Sequence, residues 1–234
     1  MNRPFSPTFL FTVIPRLLPY LKVTFWVMGG TIFFGLIVGF LLAKAKLQGN
    51  VFSKTLAHGY TWALRCTPSI VLLFIVFYGL PKALLEIFGI NINSWHRGIF
   101  VVVTFSLLFA ATFSEIMRSA FLAVEKGQYE SAVSIGLSPF QAFQRIVFPQ
   151  AVVVALPNLG NSFIILMKEG ALAFTVGLVD VMGQGTLIIS RNYGAYALET
   201  YLALALIYWL LTIALEKSFF FLEKRLSQGR KAWA

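Results

Sequence analysis

Charge is scarce in this chain. Only 12% of its 234 residues are Asp, Glu, Lys or Arg, about half of what a soluble domain carries. A surface facing water cannot be built from that supply. Cysteine is nearly absent: Cys66 stands alone, which excludes an internal disulfide and a thiolate metal cluster. The two histidines, His58 and His96, lie far apart with no metal-ligand spacing between them. No metal site is expected. No Gly-x-x-x-x-Gly-Lys-Ser/Thr phosphate loop occurs, and no Ser–His–Asp or paired-carboxylate arrangement stands out, so no catalytic residue is expected in this chain. Internal repeats and low-complexity segments are absent as well. The segment Met1–Tyr20 holds four prolines and lacks the basic start, apolar run and small-residue cleavage site of a signal peptide. It reads as a short segment lying along a membrane surface.

What the chain has instead is apolar length. Hydrophobic residues make up 58%, and the mean hydropathy is +0.79. Such a chain needs lipid as solvent. In hydrocarbon only helices or closed barrels satisfy every backbone N–H and C=O. Barrel strands would alternate over about 10 residues, whereas the apolar runs here are continuous. The expected fold is therefore all-α, a single membrane domain (1–234, membrane region about 21–222). About 20 apolar residues cross a bilayer. Five spans are predicted: Leu21–Ala43, Ala57–Leu80 (interrupted by Arg65 and Pro68, ended by Pro81), Gly98–Phe121, Ala151–Met167 and Thr200–Leu222. In the first, Gly30, Gly35 and Gly39 mark a close helix contact.

The net charge of +10 does not point to nucleic acid, because the basic residues lie between apolar runs rather than in one stripe. They follow the enrichment of Lys and Arg in cytoplasmic loops. With the carboxy terminus inside and the amino terminus outside, twelve of the nineteen Lys and Arg fall on the cytoplasmic side, from Lys44 to Lys231. The other seven, Arg3 among them, fall outside.

Between the third and fourth spans lies the polar stretch Gly127–Pro149, GQYESAVSIGLSPFQAFQRIVFP. Glu130 to Ile135 reads as a short helix that Gly136 can stop in the left-handed conformation. Ser138 and Pro139 fit the cap and first position of a second helix. The expected product is a helical hairpin in the cytoplasmic loop 125–150, with apolar residues (Ala132, Val133, Leu137, Phe140, Phe143) to offer a partner.

The pattern Glu130-x-Ala132, three residues, Gly136, nine residues, Ile146-x-x-Pro149 resembles the coupling loop of ABC importer permeases. Ser131 and Phe148 stand where that family usually has Ala and Leu. Arg65-Cys66-Thr67-Pro68, Phe77-Tyr78-Gly79-Leu80-Pro81, Ser114-Glu115-Ile116-Met117-Arg118, Pro149-Gln150-Ala151 and Leu156-Pro157-Asn158 resemble blocks of the polar amino-acid (histidine, glutamine, cystine) permeases. Val179-Asp180-Val181-Met182-Gly183 and Ile207-Tyr208-Trp209 are similar to permeases for cystine and related sulfur amino acids. The resemblance covers about Thr24–Leu226.

It implies a permease subunit of an ATP-driven amino-acid importer in the cytoplasmic membrane of a bacterium. A second permease copy or paralogue would complete the path. A dimer of ABC ATPases, which binds the ATP and Mg, would dock on Glu130, Ala132, Gly136, Ile146 and Pro149. An extracytoplasmic binding protein would deliver the amino acid. This chain would hold no cofactor and would not itself be an enzyme. An ion-coupled secondary transporter is the alternative; it would show inverted repeats and charges deep in several spans. A membrane-embedded enzyme and a structural membrane subunit are further rivals.

Glu169 is the candidate for substrate contact. An acid in a membrane segment is costly unless it faces a partner or an aqueous path. It would meet the ammonium group of an amino acid, with Asn161 and Asn158 beside it. The ordinary alternative is an ion pair with Lys168. Glu115 and Arg118, three apart, share a helix face and suit an intrahelical ion pair. Arg65 reads as a cytoplasmic anchor. Asp180 suits either the outer mouth or a helix cap.

Overall fold

A computed structural model describes residues 4–227. Among these residues every regular element is helical. Eleven α-helices form, joined by short 3₁₀ and π segments. Five helical stretches are long and apolar enough to cross a membrane: Pro7–Gln48, Ser69–Phe88, Arg97–Leu122, Pro139–Val176 and Ala197–Ser227. Three of the calculated charges, Arg3, Arg230 and Lys231, lie outside the described residues.

The centre of the bundle is α2 (Leu21–Gln48) against α6 (Arg97–Leu122). The two helices approach closely because α2 presents glycine. A Cβ on Gly35 would stand 2.7 Å from Phe109 Cδ1 and 3.2 Å from Ser106 O. One on Gly39 would stand 2.9 Å from the backbone oxygen of Ala110. Backbone cannot give way as a side chain can, so these glycines set the interaxial distance. Around the contact lie buried Val27, Phe105, Phe109, Phe113 and Met117, joined by Ala151, Ala155 and Met167 of α9 (Phe148–Glu169).

The amino-terminal helix α1 (Pro7–Leu17) is part of the bundle rather than a separate surface segment. Ser6 caps it by accepting from the Phe9 N–H, and Pro7 fits its first turn. Its spacing puts Leu10, Val13 and Leu17 on one face. Val13 and Leu17 pack with Val181, Ile188, Ala203 and Leu204 of α10 (Val181–Arg191) and α11 (Ala197–Ser227). The Ser6 N–H donates to Glu199 Oε1 at 2.8 Å, tying the chain start to α11.

The second span differs from the sequence expectation. Ala57–Leu80 is not one interrupted helix. Helix α3 (Val51–Cys66) ends at Thr67, and Pro68 begins a new one in an extended conformation (ψ 135°). The span is α4 (Ser69–Phe74), a π-turn Ile75–Gly79 and α5 (Leu80–Phe88). Pro81 does not end it; it occupies the first turn of α5. A proline inside a helix clashes with the carbonyl four residues back. The extra residue of a π-turn just upstream absorbs that conflict. The same device recurs at the π-turn Phe143–Val147, two residues before Pro149. In both places a proline that looks like a terminator is built into a continuing helix.

Candidate functional site

Two regions carry the candidate residues. The first is the hairpin. Helix α7 (Lys126–Ser134) stops at Gly136, which takes φ +96°. The Gly136 N–H donates to Val133 O at 3.0 Å and the Leu137 N–H to Ala132 O at 3.2 Å. This pair of bonds closes a helix end and requires a left-handed residue. Ser138 then caps the short α8 (Pro139–Ala142): its hydroxyl accepts from the Gln141 N–H, and the Gln141 side chain accepts from the Ser138 N–H at 2.9 Å. The expected hairpin is present, with α7 beginning four residues earlier than Glu130.

Of the five hairpin candidates, Ala132 is buried, and with Ile146 it lines a cleft of about 530 Å³ inside the hairpin. Glu130 is exposed on the outer surface of α7, and Pro149 opens α9. So Ala132, Gly136, Ile146 and Pro149 build the hairpin, while Glu130 faces outward with Ile135 (82% exposed) and Phe140 (70%). An outward acid beside large apolar side chains is a surface with something to bind.

The second region is a half-open cavity of about 230 Å³ between α3, α4, α6 and α9. The break between α3 and α4 contributes Arg65, Thr67 and Ser69; α6 contributes Phe105, Phe109 and Thr112; α9 contributes Ser162, Ile165 and Glu169. Glu169 is half-buried and shares the pocket wall with Ser69. Among the described residues it makes no ion pair; the three that form are Lys46–Glu115, Lys82–Glu86 and Arg118–Glu115. The Lys168 pairing is therefore not seen. Asn158, Ser162, Ile165 and Glu169 follow one another at spacings of four, three and four along α9, one helix face. Asn158 and Asn161 do not line this cavity and are exposed. The structure thus joins Glu169 to Arg65 rather than to the two asparagines.

Arg65 is the residue that sequence reasoning put elsewhere. It is exposed, and it stands in the pocket wall at the end of α3, three residues before the break at Pro68. Lys46 is the second surprise. Counted as a loop charge, it is buried in the last turn of α2. It donates to Glu115 Oε1 at 2.8 Å, while Glu115 Oε2 pairs with Arg118 at 2.9 Å. The expected Glu115–Arg118 pair exists, within a larger cluster. Asp180 caps α10, accepting from the Gly183 N–H at 2.8 Å, and is buried.

With this geometry in place, comparison with known proteins is informative. The family model for the binding-protein-dependent transport system inner membrane component matches residues 35–228. The L-cystine transport system permease protein of Bacillus subtilis is 39% identical over 231 residues, 98% of this chain and 95% of that one. The histidine/lysine/arginine/ornithine transport system permease protein of Escherichia coli is 33% identical, covering 83% of this chain and 86% of its own. Among solved structures, an amino acid ABC transporter crystallised with histidines superposes with a TM-score of 0.80 at 29% identity, over 96% of this chain and 100% of that one. A methionine ABC transporter in an inward-facing conformation shares the fold at a TM-score of 0.65 and 18% identity. The ion-coupled alternative has no counterpart among these relatives. The chain belongs to the family of binding-protein-dependent transport system inner membrane components, as a multi-pass permease of the amino-acid ABC importer kind.

Proposed function

We propose that this chain, paired with a second permease subunit, forms the membrane path of an ATP-driven importer for a zwitterionic amino acid, cystine or a related sulfur amino acid. The observation that carries the reading is one cavity holding Arg65 and Glu169 against walls of Phe105 and Phe109. Opposite charges held apart in one pocket of mixed polar and apolar lining complement the carboxylate and the ammonium of an amino acid. Glu169 takes the ammonium and Arg65 the carboxylate, with Ser69 beside them in the pocket wall. The identity to an L-cystine permease supports the sulfur amino acid as cargo.

A volume of about 230 Å³ is smaller than the roughly 300–1,000 Å³ of most small-molecule sites. Asn158 and Asn161 continue the same α9 face into the open. Both features fit a path completed by a second subunit. The hairpin is the docking element for a separate ATPase, and its exposed Ile135, Phe140 and Glu130 are the contact surface. In this orientation the hairpin is cytoplasmic, the amino terminus is outside, and a binding protein delivers the amino acid to the outer face.

The test is calorimetric titration of the detergent-solubilised importer with L-cystine. Wild type binds, and Glu169→Gln and Arg65→Gln each weaken binding by about tenfold or more, the scale of a lost charge-assisted hydrogen bond. Equal affinities in all three would remove the cavity from the substrate path.

A further inference from the structure

Lys46 is held in a way that the transport path described above does not explain. Its side chain is fully enclosed (0% exposed), whereas Glu115 keeps 21% exposure. An ammonium group has three protons to donate, and all three are used. One goes to Thr61 Oγ1 on α3, one to Ser114 Oγ at 2.7 Å and one to Glu115 Oε1 at 2.8 Å, both on α6. Thr61 in turn donates its own proton to Ala57 O at 2.9 Å, which leaves its oxygen free to accept from Lys46. Glu115 is shared: its other oxygen binds Arg118 Nε at 2.9 Å. One cation therefore joins three helices, the consecutive α2 and α3 and the distant α6.

A buried ion pair is weak evidence for stability, since apolar residues of the same volume usually pack as well. Its best-attested use is to fix register or to serve as a switch. The position of this one is informative. Thr61 lies one helical turn before Arg65, on the same face of α3. On α6, Thr112 of the cavity wall precedes Ser114 and Glu115, and Arg118 leads on to the helix end at Leu122. The hairpin helix α7 starts at Lys126. The Lys46 contacts thus stand on α6 between the hairpin and the cavity, and on α3 one turn before Arg65.

We propose that Lys46 is a positioning residue that clamps α3 to α6, so that Arg65 follows any movement which the hairpin transmits to α6. The proposal rests on the assignment of the hairpin and the cavity to coupling and to substrate. Lys46 touches no substrate; it acts through Thr61 and Arg65. Without the clamp α6 still moves, and α3, tied to it then by the Tyr60 hydroxyl on Leu107 O at 2.9 Å, follows it less closely at its Arg65 end.

The test uses the complete importer with its ATPase and two spin labels on one permease subunit. The first label goes on the native Cys66, which is exposed at the end of α3. The second goes on α6, at the exposed position of Ser119→Cys. Distances are measured without nucleotide and with ATP bound. Wild type gives one narrow distribution in each state, because α3 and α6 move together. Lys46→Met and, more gently, Thr61→Val give a broadened or second distribution in the ATP-bound state. Thr61→Val leaves the Lys46–Glu115 pair and the Tyr60–Leu107 bond intact and removes only the Lys46 contact to α3, so it decides the question if Lys46→Met fails to assemble. L-cystine affinity, measured on the unlabelled variants, falls roughly tenfold while the ATPase still copurifies. Narrow distributions in Thr61→Val identical to wild type overturn the clamp. If wild type itself fails to bind L-cystine, the substrate assignment falls, and the label distances still decide whether α3 is held through Lys46.

Discussion

The hairpin and the cavity are built in opposite ways. The hairpin is local: Ala132, Gly136, Ser138 and Gln141 satisfy one another within ten residues, through a left-handed glycine and a reciprocal cap. The cavity is assembled from three distant stretches, around Arg65, Phe109 and Glu169. A local device is written in residue spacing and can be read there. A long-range one depends on where a helix breaks and what packs against the break. The hairpin should therefore fail by losing its own geometry, and the cavity by losing single side chains that leave the fold intact.

Gly136→Pro gives the largest effect. The ring cannot adopt φ +96°, and the donor to Val133 O disappears. The local cost is about 3 kcal/mol or more. ATPase attachment and uptake are both lost, as judged by copurification and by transport into proteoliposomes, while the membrane core still unfolds at its normal temperature. If attachment survived, the hairpin would not be the docking element.

Glu169→Gln comes next. It removes a charge-assisted contact of about 1.5–3 kcal/mol, so substrate stimulation of ATP hydrolysis falls by about an order of magnitude with normal assembly. Unchanged stimulation would return Glu169 to the role of a bystander at a helix end.

Gly39→Val strikes neither region but the α2–α6 contact beneath both. The added Cβ would press on the Ala110 carbonyl, and overpacking of this kind costs about 1–3 kcal/mol. The thermal midpoint in detergent drops, and the cavity and hairpin lose function together. A loss confined to one of them would show that they do not share this support.

Asp180 provides the smallest contrast. Asp180→Ala loses the α10 cap and about 1 kcal/mol. Asp180→Asn keeps the cap and removes a buried carboxylate whose Oδ2 has no partner, so its midpoint stays at or above that of wild type. A fall in both variants would point to a role for the charge itself.

Helix content, four of the five spans and the hairpin were legible in the sequence because each depends on a short window: apolar length for the spans, Gly136 and Ser138 for the hairpin. The second span was misplaced because proline has two readings. Pro68 does break the chain, but Pro81 is accommodated by the π-turn before it, and only packing decides between those outcomes. Arg65 was read as an anchor; its place in the cavity wall depends on Phe109 and Glu169, which no short window around it contains. Lys46 looked like one more loop charge, since nothing within ten residues of it hints at Ser114 or Glu115 some seventy positions away. Glu169 was found from its cost in an apolar segment, but its companion across the cavity was not.

The central claim is that this chain is a permease driven by a separate ATPase through its hairpin. The most direct measurement is a pull-down of the detergent-solubilised protein, wild type and Gly136→Pro, with identification of what comes along. A phosphate-loop ATPase that accompanies wild type and is lost from the variant is the expected result. An intact, folded wild type that brings no ATPase, or a Gly136→Pro variant that retains it, would contradict the account.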